Sequence, residues 1–327
     1  MTITQPETPI GGYQGLELPL YKGSLEQLTI KTNSARSALK IILNAVSAKK
    51  VWLPAYSCDA IVEAVKDLDI ELGYYLVSPT FSVEPSLSLG KDEYILVVNY
   101  FGICQDSINK SLHRFGESNT IVDCSQAYFS NHLDSLATFW SPRKFFGLPD
   151  GGLLYSNDPR VKQPDIRDTT SSTRMGHLIS RITDSPEAAY QQYQEAEQTI
   201  AEMPVLGMSE LTERLLHAVD YQGARAARNR NARYLHERLG EYNQLNLHFD
   251  ADTAPLCYPL VPKLKTASRS ELINNRVFAP SYWPEVLTRV DEGSFEWNLV
   301  TNGLFLPCDQ RYTENDMDRL ISLLAIQ

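Results

Sequence analysis

Apolar residues recur at helical spacing through Ser34–Ala48, with Ala38, Ile41, Ile42 and Ala45 on one face, and this predicts a helix. Val51–Leu53 reads as a short strand ended by Pro54, Asp59–Val65 as a helix and Ile70–Val77 as a strand. Tyr94–Val98 is a β-rich apolar run between polar flanks, and a helix over Asp106–Leu112 and a buried strand over Thr120–Cys124 follow. Leu136–Trp140 and Gly152–Tyr155 read as strands flanking a loop. Strand and helix alternating in this way predict βαβ units, an α/β class and a mostly parallel sheet. Ligands of such sheets sit outside the carboxyl ends of the strands, so the residues just after each strand are the ones to inspect.

Before Ser34 the pattern is irregular. Pro6, Pro9, Gly11, Gly12, Gly15, Pro19 and Gly23 mark residues 1–30 as an arm. Past residue 185 the helices lengthen: a polar amphipathic one over Pro186–Glu202, one over Ser209–Val219 with Ser209 as N-cap, and a long one over Tyr221–Leu239. The arginines of the last, Arg225, Arg228, Arg230 and Arg233, read as a solvated face. Pro255–Val261, Ser268–Asn274, Val277–Ala279 and Leu304–Leu306 suggest a smaller α+β unit closed by a helix over Thr313–Leu324. The expected division is an arm over 1–30, a large domain over 31–215 and a small one over 216–327.

Composition narrows the functional classes. With 43% hydrophobic and 21% charged residues, the 327-residue chain has apolar material for a sizeable core, which excludes wholesale disorder. Thirty Lys+Arg against 40 Asp+Glu leave a net charge of −10, a poor match for a phosphate backbone, so nucleic acid is not an expected partner. Cys58, Cys104, Cys124, Cys257 and Cys308 are odd in number and widely spaced without a CxxC, which argues against a disulfide framework and a zinc site. A reducing, cytoplasmic location follows as an expectation. The first thirty residues lack the basic start and apolar stretch of a signal peptide, and no apolar run is long enough to span a bilayer.

Four segments fall where ligands bind. Asn33-Ser34-Ala35-Arg36 opens a helix with small residues, as an anion site or as an ordinary cap. Asp123 ends a strand, where an acid is costly without a cationic partner, and Gln126 and Tyr128 follow it. Ser141-Pro142-Arg143-Lys144-Phe145-Phe146 places one lysine between a strand and an aromatic pair. Apolar neighbours make such a lysine a usable amine nucleophile, whereas a surface position makes it merely solvated. Asn99 and Tyr100 come directly after a strand and reach either a ligand or the core. The sequence has no GxGxxG after a strand, no GxxxxGK[ST] and no GxSxG, which disfavours dinucleotide, P-loop and α/β-hydrolase chemistry.

In order along the chain, Ile10-Gly11-Gly12-Tyr13, TNSARSALKIIL (32–43), VWLPAYSCDAIV (51–62), NYFG (99–102), IVDCSQAYFS (121–130), FWSPRKFFGLPDGG (139–152), Tyr282-Trp283-Pro284 and LPCDQRYTENDM (306–317) resemble the DegT/DnrJ/EryC1/StrS family of sugar aminotransferase-like enzymes that use pyridoxal 5'-phosphate (PLP). The resemblance implies the PLP-dependent transferase fold type I, like aspartate aminotransferase, with a smaller C-terminal α+β domain. It implies that Lys144 bonds to the cofactor aldehyde, Asp123 pairs with its ring nitrogen, and Gln126 lies by its phenolic oxygen. Ser34, Ala35, Arg36 and Ser141 would hold the phosphate. Tyr56 or Cys58 would cover the ring, with Asn99 and Tyr100 as further candidates. The implied reaction moves an amino group from a donor such as glutamate to a nucleotide-linked keto-sugar in surface polysaccharide biosynthesis. The implied assembly is a homodimer with shared sites, in which Ser209 serves the partner. The chain is shorter than typical members, and Pro142-Arg143 and Leu148-Pro149-Asp150 depart from their pattern. A non-catalytic PLP-binding scaffold, or another PLP reaction such as dehydration, remains an alternative.

Overall fold

The computed structural model describes residues 16–21, 29–250 and 253–326. Most of the expected arm lies outside them. Its residue Ile30 instead opens a strand, β1 (Ile30–Thr32). The chain continues through α1 (Ala35–Val46), β2 (Lys50–Pro54), α2 (Asp59–Lys66), β3 (Glu71–Tyr75), β4 (Glu93–Val98), α3 (Gln105–Phe115), β5 (Thr120–Asp123), β6 (Ala137–Trp140) and β7 (Gly152–Tyr155). These strands form one sheet in the spatial order β1-β7-β6-β5-β4-β2-β3. Its neighbours pair in parallel except at β7, which runs against both β6 and β1. Every residue of β5 and β6 is buried, as both faces of a parallel sheet require. α1 packs on β6 and β7, and α3 on β4 and β5.

The C-terminal half contributes α4 (Gly176–Thr183), α5 (Tyr190–Glu202), α6 (Glu210–His217) and α7 (Tyr221–Leu239). Then come β8 (Tyr258–Leu260), α8 (Arg269–Asn274), α9 (Phe295–Asn302), β9 (Leu304–Leu306) and α10 (Glu314–Leu324). β8 and β9 pair antiparallel, and α7 packs on β8 and α10.

Three elements differ from the sequence reading for identifiable reasons. β1 has only three residues and is held by backbone pairing to β7, so it shows no alternation. α4 turns Ile179 and Ile182 outward, which blurs its apolar face. α9 buries a glutamate: Glu296 accepts the Val77 N–H at 2.6 Å, inverting the usual pattern. Val277–Ala279, expected to contribute to the smaller α+β unit, has no regular structure. The arginine run of α7 is also corrected: Arg230 and Arg233 are exposed, but Arg228 is buried. No helix among the described residues is long and apolar enough to cross a membrane.

Candidate active site

Register builds the floor of the site. Val98 pairs with Asp123 and Asp123 with Phe139, so the carboxyl ends of β4, β5 and β6 present one row. All three residues line a cavity of about 160 Å³. The turn after β6 brings in Ser141, Arg143 and Lys144, and the loop after β2 brings in Ser57 and Cys58. The first turn of α1 adds Ser34, Ala35 and Arg36. Four strand ends and one helix start therefore meet where the parallel-sheet rule places a ligand.

Asp123 is 2% exposed. Burial pushes its carboxyl above the usual carboxylate range, while the Lys144 charge and bonding to Ser125, whose N–H donates at 2.6 Å, pull it down. Lys144 is the cation that compensates this acid. It stands on the tight turn Pro142–Lys144 with its side chain exposed at the cavity. Gln126 accepts the Phe101 N–H at 3.0 Å through Oε1, which leaves its buried Nε2 without a partner at the cavity wall. A buried amide donor with no acceptor is costly and marks a place for an acceptor on a ligand.

The helix end opposite is an anion cradle. Ser34 caps α1 by accepting the Ser37 N–H at 3.1 Å, so its side chain is engaged and the free N–H groups of the first turn face the cavity. Arg36 donates from Nη1 to the carbonyls of Ile200 and Ala201 at 3.3 and 3.2 Å, closing the end of α5, while its buried Nε lacks a partner. Gly152 lets β7 approach this cradle: a Cβ there would lie 2.4 Å from the Ser34 carbonyl carbon. Gly151, at φ +125°, donates its N–H to the Asn33 carbonyl at 2.7 Å. The turn before it is anchored by buried Asp150, which accepts from the Ser209 N–H at 2.8 Å, the Ser209 hydroxyl at 2.6 Å and the Thr212 hydroxyl.

Not every expected residue reaches the cavity. Tyr56 is buried behind it, its ring edge-on to Trp283 at 4.8 Å. Tyr100 donates its hydroxyl to the Tyr56 carbonyl at 2.7 Å and packs in the same aromatic cluster. Asn99 uses its amide on the Cys104 N–H and the Ser130 hydroxyl at 2.9 and 3.2 Å. Asn99 and Tyr100 spend their polar groups on the loops behind the site, and Tyr56 packs there with its buried hydroxyl unpartnered. Ser209 is likewise occupied, as the N-cap of α6 and a partner of Asp150 within its own chain. Cys58 does line the cavity; burial raises its thiol, opposed by the Lys144 charge.

Long-range pairing supplies residues that local sequence does not announce. Trp283 covers the cavity in a left-handed backbone conformation, φ +65°, which a large side chain adopts only when packing holds it there. Its Trp-Pro dipeptide was a signal without an assigned role. Glu197, on α5, forms an ion pair with Arg143 at the mouth. Arg289 donates to the Ser57 carbonyl at 2.7 Å and pairs with Asp59, fixing the Cys58 loop. A larger open groove of about 900 Å³ lies along α5 and the C-terminal unit, lined by five arginines (181, 269, 276, 311 and 319) against the acids Glu187 and Asp316. Tyr190 and Tyr193 of the groove and Glu197 and Ile200 of the cavity lie on one face of α5.

The fold is similar to that of solved aminotransferases, one of them described as of the DegT DnrJ EryC1 StrS type. A DegT DnrJ EryC1 StrS aminotransferase from Brucella abortus is 16% identical, with 90% of this chain and 84% of that one covered and a TM-score of 0.57. NtdA from Bacillus subtilis, solved with bound cofactor PMP, is 17% identical over 90% of this chain and 72% of its own, with a TM-score of 0.61. The E. coli GDP-4-keto-6-deoxy-D-mannose-3-dehydratase, solved with bound hydrated PLP, is 14% identical over 90% and 87%, with a TM-score of 0.59. No family model matches the sequence, and no curated protein matches it either.

Proposed function

We propose that the protein is a PLP-dependent aminotransferase that moves an amino group from a donor such as glutamate to a nucleotide-linked keto-sugar in surface polysaccharide biosynthesis. The observation that carries the reading is convergence. One lysine, one buried acid, an unpartnered amide donor and a helix N-terminus face a single cavity. These residues would hold PLP: Lys144 by its aldehyde, Asp123 by its ring nitrogen, the Gln126 Nε2 by its phenolic oxygen, and the first turn of α1 with Arg36 and Ser141 by its phosphate.

Bound there, PLP supplies an electron sink for negative charge at the substrate carbon. The protein does the rest. Asp123, buried at the cavity floor, would hold a proton on the ring nitrogen. Lys144, once an incoming amine had freed it, would take the proton from the substrate α-carbon as general base and, as general acid, deliver it to the former aldehyde carbon of the cofactor. Arg143 and Glu197 neutralise each other at the mouth, and Trp283 keeps water from one side of the cavity. The larger groove supports a large acceptor, because its excess of arginines suits phosphates and Tyr190 and Tyr193 offer flat surfaces to a ring. A homodimer accompanies this reading; Ile179 and Ile182, 58% and 81% exposed at i and i+3 on α4, offer apolar surface to a second copy.

The test is the visible spectrum of the protein with added PLP. A band that glutamate or another amino donor bleaches, with release of the matching keto acid, is expected. A band that ignores a broad panel of donors would transfer the weight to a scaffold without turnover. The dehydratase among the structural neighbours gives a second reading substance. Product analysis separates the two, since dehydration removes a hydroxyl without adding nitrogen.

A further inference from the structure

Arg228, in the middle of α7, is 2% exposed, and its hydrogen bonds go to no carboxylate. Nε donates to Gln310 Oε1 at 2.9 Å, and Nη1 to the carbonyls of Pro255 and Leu256 at 2.9 and 3.2 Å. Nη2 reaches the Phe145 carbonyl at 3.4 Å, and the guanidinium lies 4.5 Å from the centre of the Phe145 ring. Gln310, just after β9, donates from Nε2 to the same Phe145 carbonyl at 2.9 Å. Two side chains of the C-terminal unit thus converge on the residue directly after Lys144. On the near side, the N–H groups of Lys144 and Phe145 donate to the carbonyls of Ser141 and Pro142 at 3.2 and 3.0 Å. A buried cation whose hydrogen bonds go only to carbonyls and an amide, with Asp309 acting on it through charge alone, is costly to keep. A planar fork is the one side chain that reaches all four acceptors together.

We propose that Arg228 and Gln310 form a clamp on the Phe145 carbonyl, which fixes the backbone of Lys144 and the line along which its amine enters the cavity. Arg228 is a positioning residue and touches no substrate. The proposal rests on the reading of Lys144 as the reactive amine. It makes that amine's orientation depend on docking of the C-terminal unit.

The test uses cofactor-free protein, so neither substrate nor turnover is needed. A limiting amount of acetic anhydride is added, and acetylation of each lysine is followed by peptide mass spectrometry. In Arg228→Met and in Gln310→Leu, Lys144 labels about threefold faster or more, while exposed Lys49 and Lys263 keep their wild-type rates. Arg228→Lys does not restore the wild-type rate, and Arg233→Met, on the exposed face of α7, changes none of them. In the loaded protein the clamp variants lose roughly 10²-fold in kcat of the donor half-reaction, with donor KM held within about threefold. Unchanged Lys144 labelling in both variants overturns the clamp. So does a parallel rise at every lysine, which signals general loosening. If Arg228→Met does not fold, Gln310→Leu decides alone, because Gln310 is half-buried and its loss leaves the core intact. A selective labelling change in a protein that binds no PLP would keep the clamp and sink the cofactor reading.

Discussion

At the residue scale, Asp123 shows what the site costs the fold. Its carboxyl is raised in the folded chain, chiefly by burial, relative to the unfolded chain. The folded state therefore binds the extra proton between the two values, and cofactor-free stability falls as pH rises through that window. Asp123→Asn removes the penalty, and its amide oxygen can still accept the Ser125 N–H. The variant should gain roughly 1–2 kcal/mol at pH 7, about 2–5 °C in Tm, and lose the falling limb of the stability–pH curve. Thermal melts from pH 4 to 8 check this; equal slopes in both proteins would contradict it. Lys144, Asp123, Gln126 and Ser141 were legible in the sequence because each follows a strand end at fixed local spacing. Arg143–Glu197 was not, because the partners are 54 residues apart and no local pattern pairs them. Tyr56, Asn99 and Tyr100 misled for the opposite reason. Polar groups after a strand point equally well into a site or into the loops that support it.

At the element scale, the helix N-terminus works as a cradle only if β7 can approach it. Gly152→Ala places a Cβ 2.4 Å from the backbone carbon of Ser34, and no rotamer relieves a backbone clash. The substitution should cost roughly 2–4 kcal/mol of stability and weaken PLP binding about tenfold or more, read by chemical denaturation and by cofactor titration. Wild-type affinity would mean that α1 is not the phosphate site. α1 was legible from periodicity, and β4 and β5 from unbroken apolar runs; with α7 they lie close to where the sequence puts them. β1 and α9 were hidden, because backbone pairing defines the one and a buried glutamate, Glu296, inverts the other. The arginines of α7 look alike in sequence, and only the position of the Phe145 turn separates buried Arg228 from its exposed neighbours.

At the scale of the whole molecule, the C-terminal unit lines the cavity with Trp283 and braces its loops with Arg289 and Arg228, so the site draws on both halves of the chain. The proposed dimer gives a prediction here. Ile182→Asp, placed on the exposed face of α4, should shift a sedimenting dimer toward monomer while leaving the melting curve of the chain within about 1 kcal/mol. A wild-type chain that sediments as a monomer at tens of micromolar would overturn that assembly. The parallel sheet was foreseeable from alternation, whereas the arginine-lined groove was not, since its cations come from helices and turns far apart in the chain. The proposed function rests on Lys144 holding PLP in this cavity. The most direct measurement is borohydride reduction of the PLP-treated protein, followed by peptide mapping by mass spectrometry. One cofactor mass per chain on the peptide carrying Lys144, absent from Lys144→Ala, is the predicted result. Cofactor scattered over surface lysines, with Lys144 unmodified, would contradict the account.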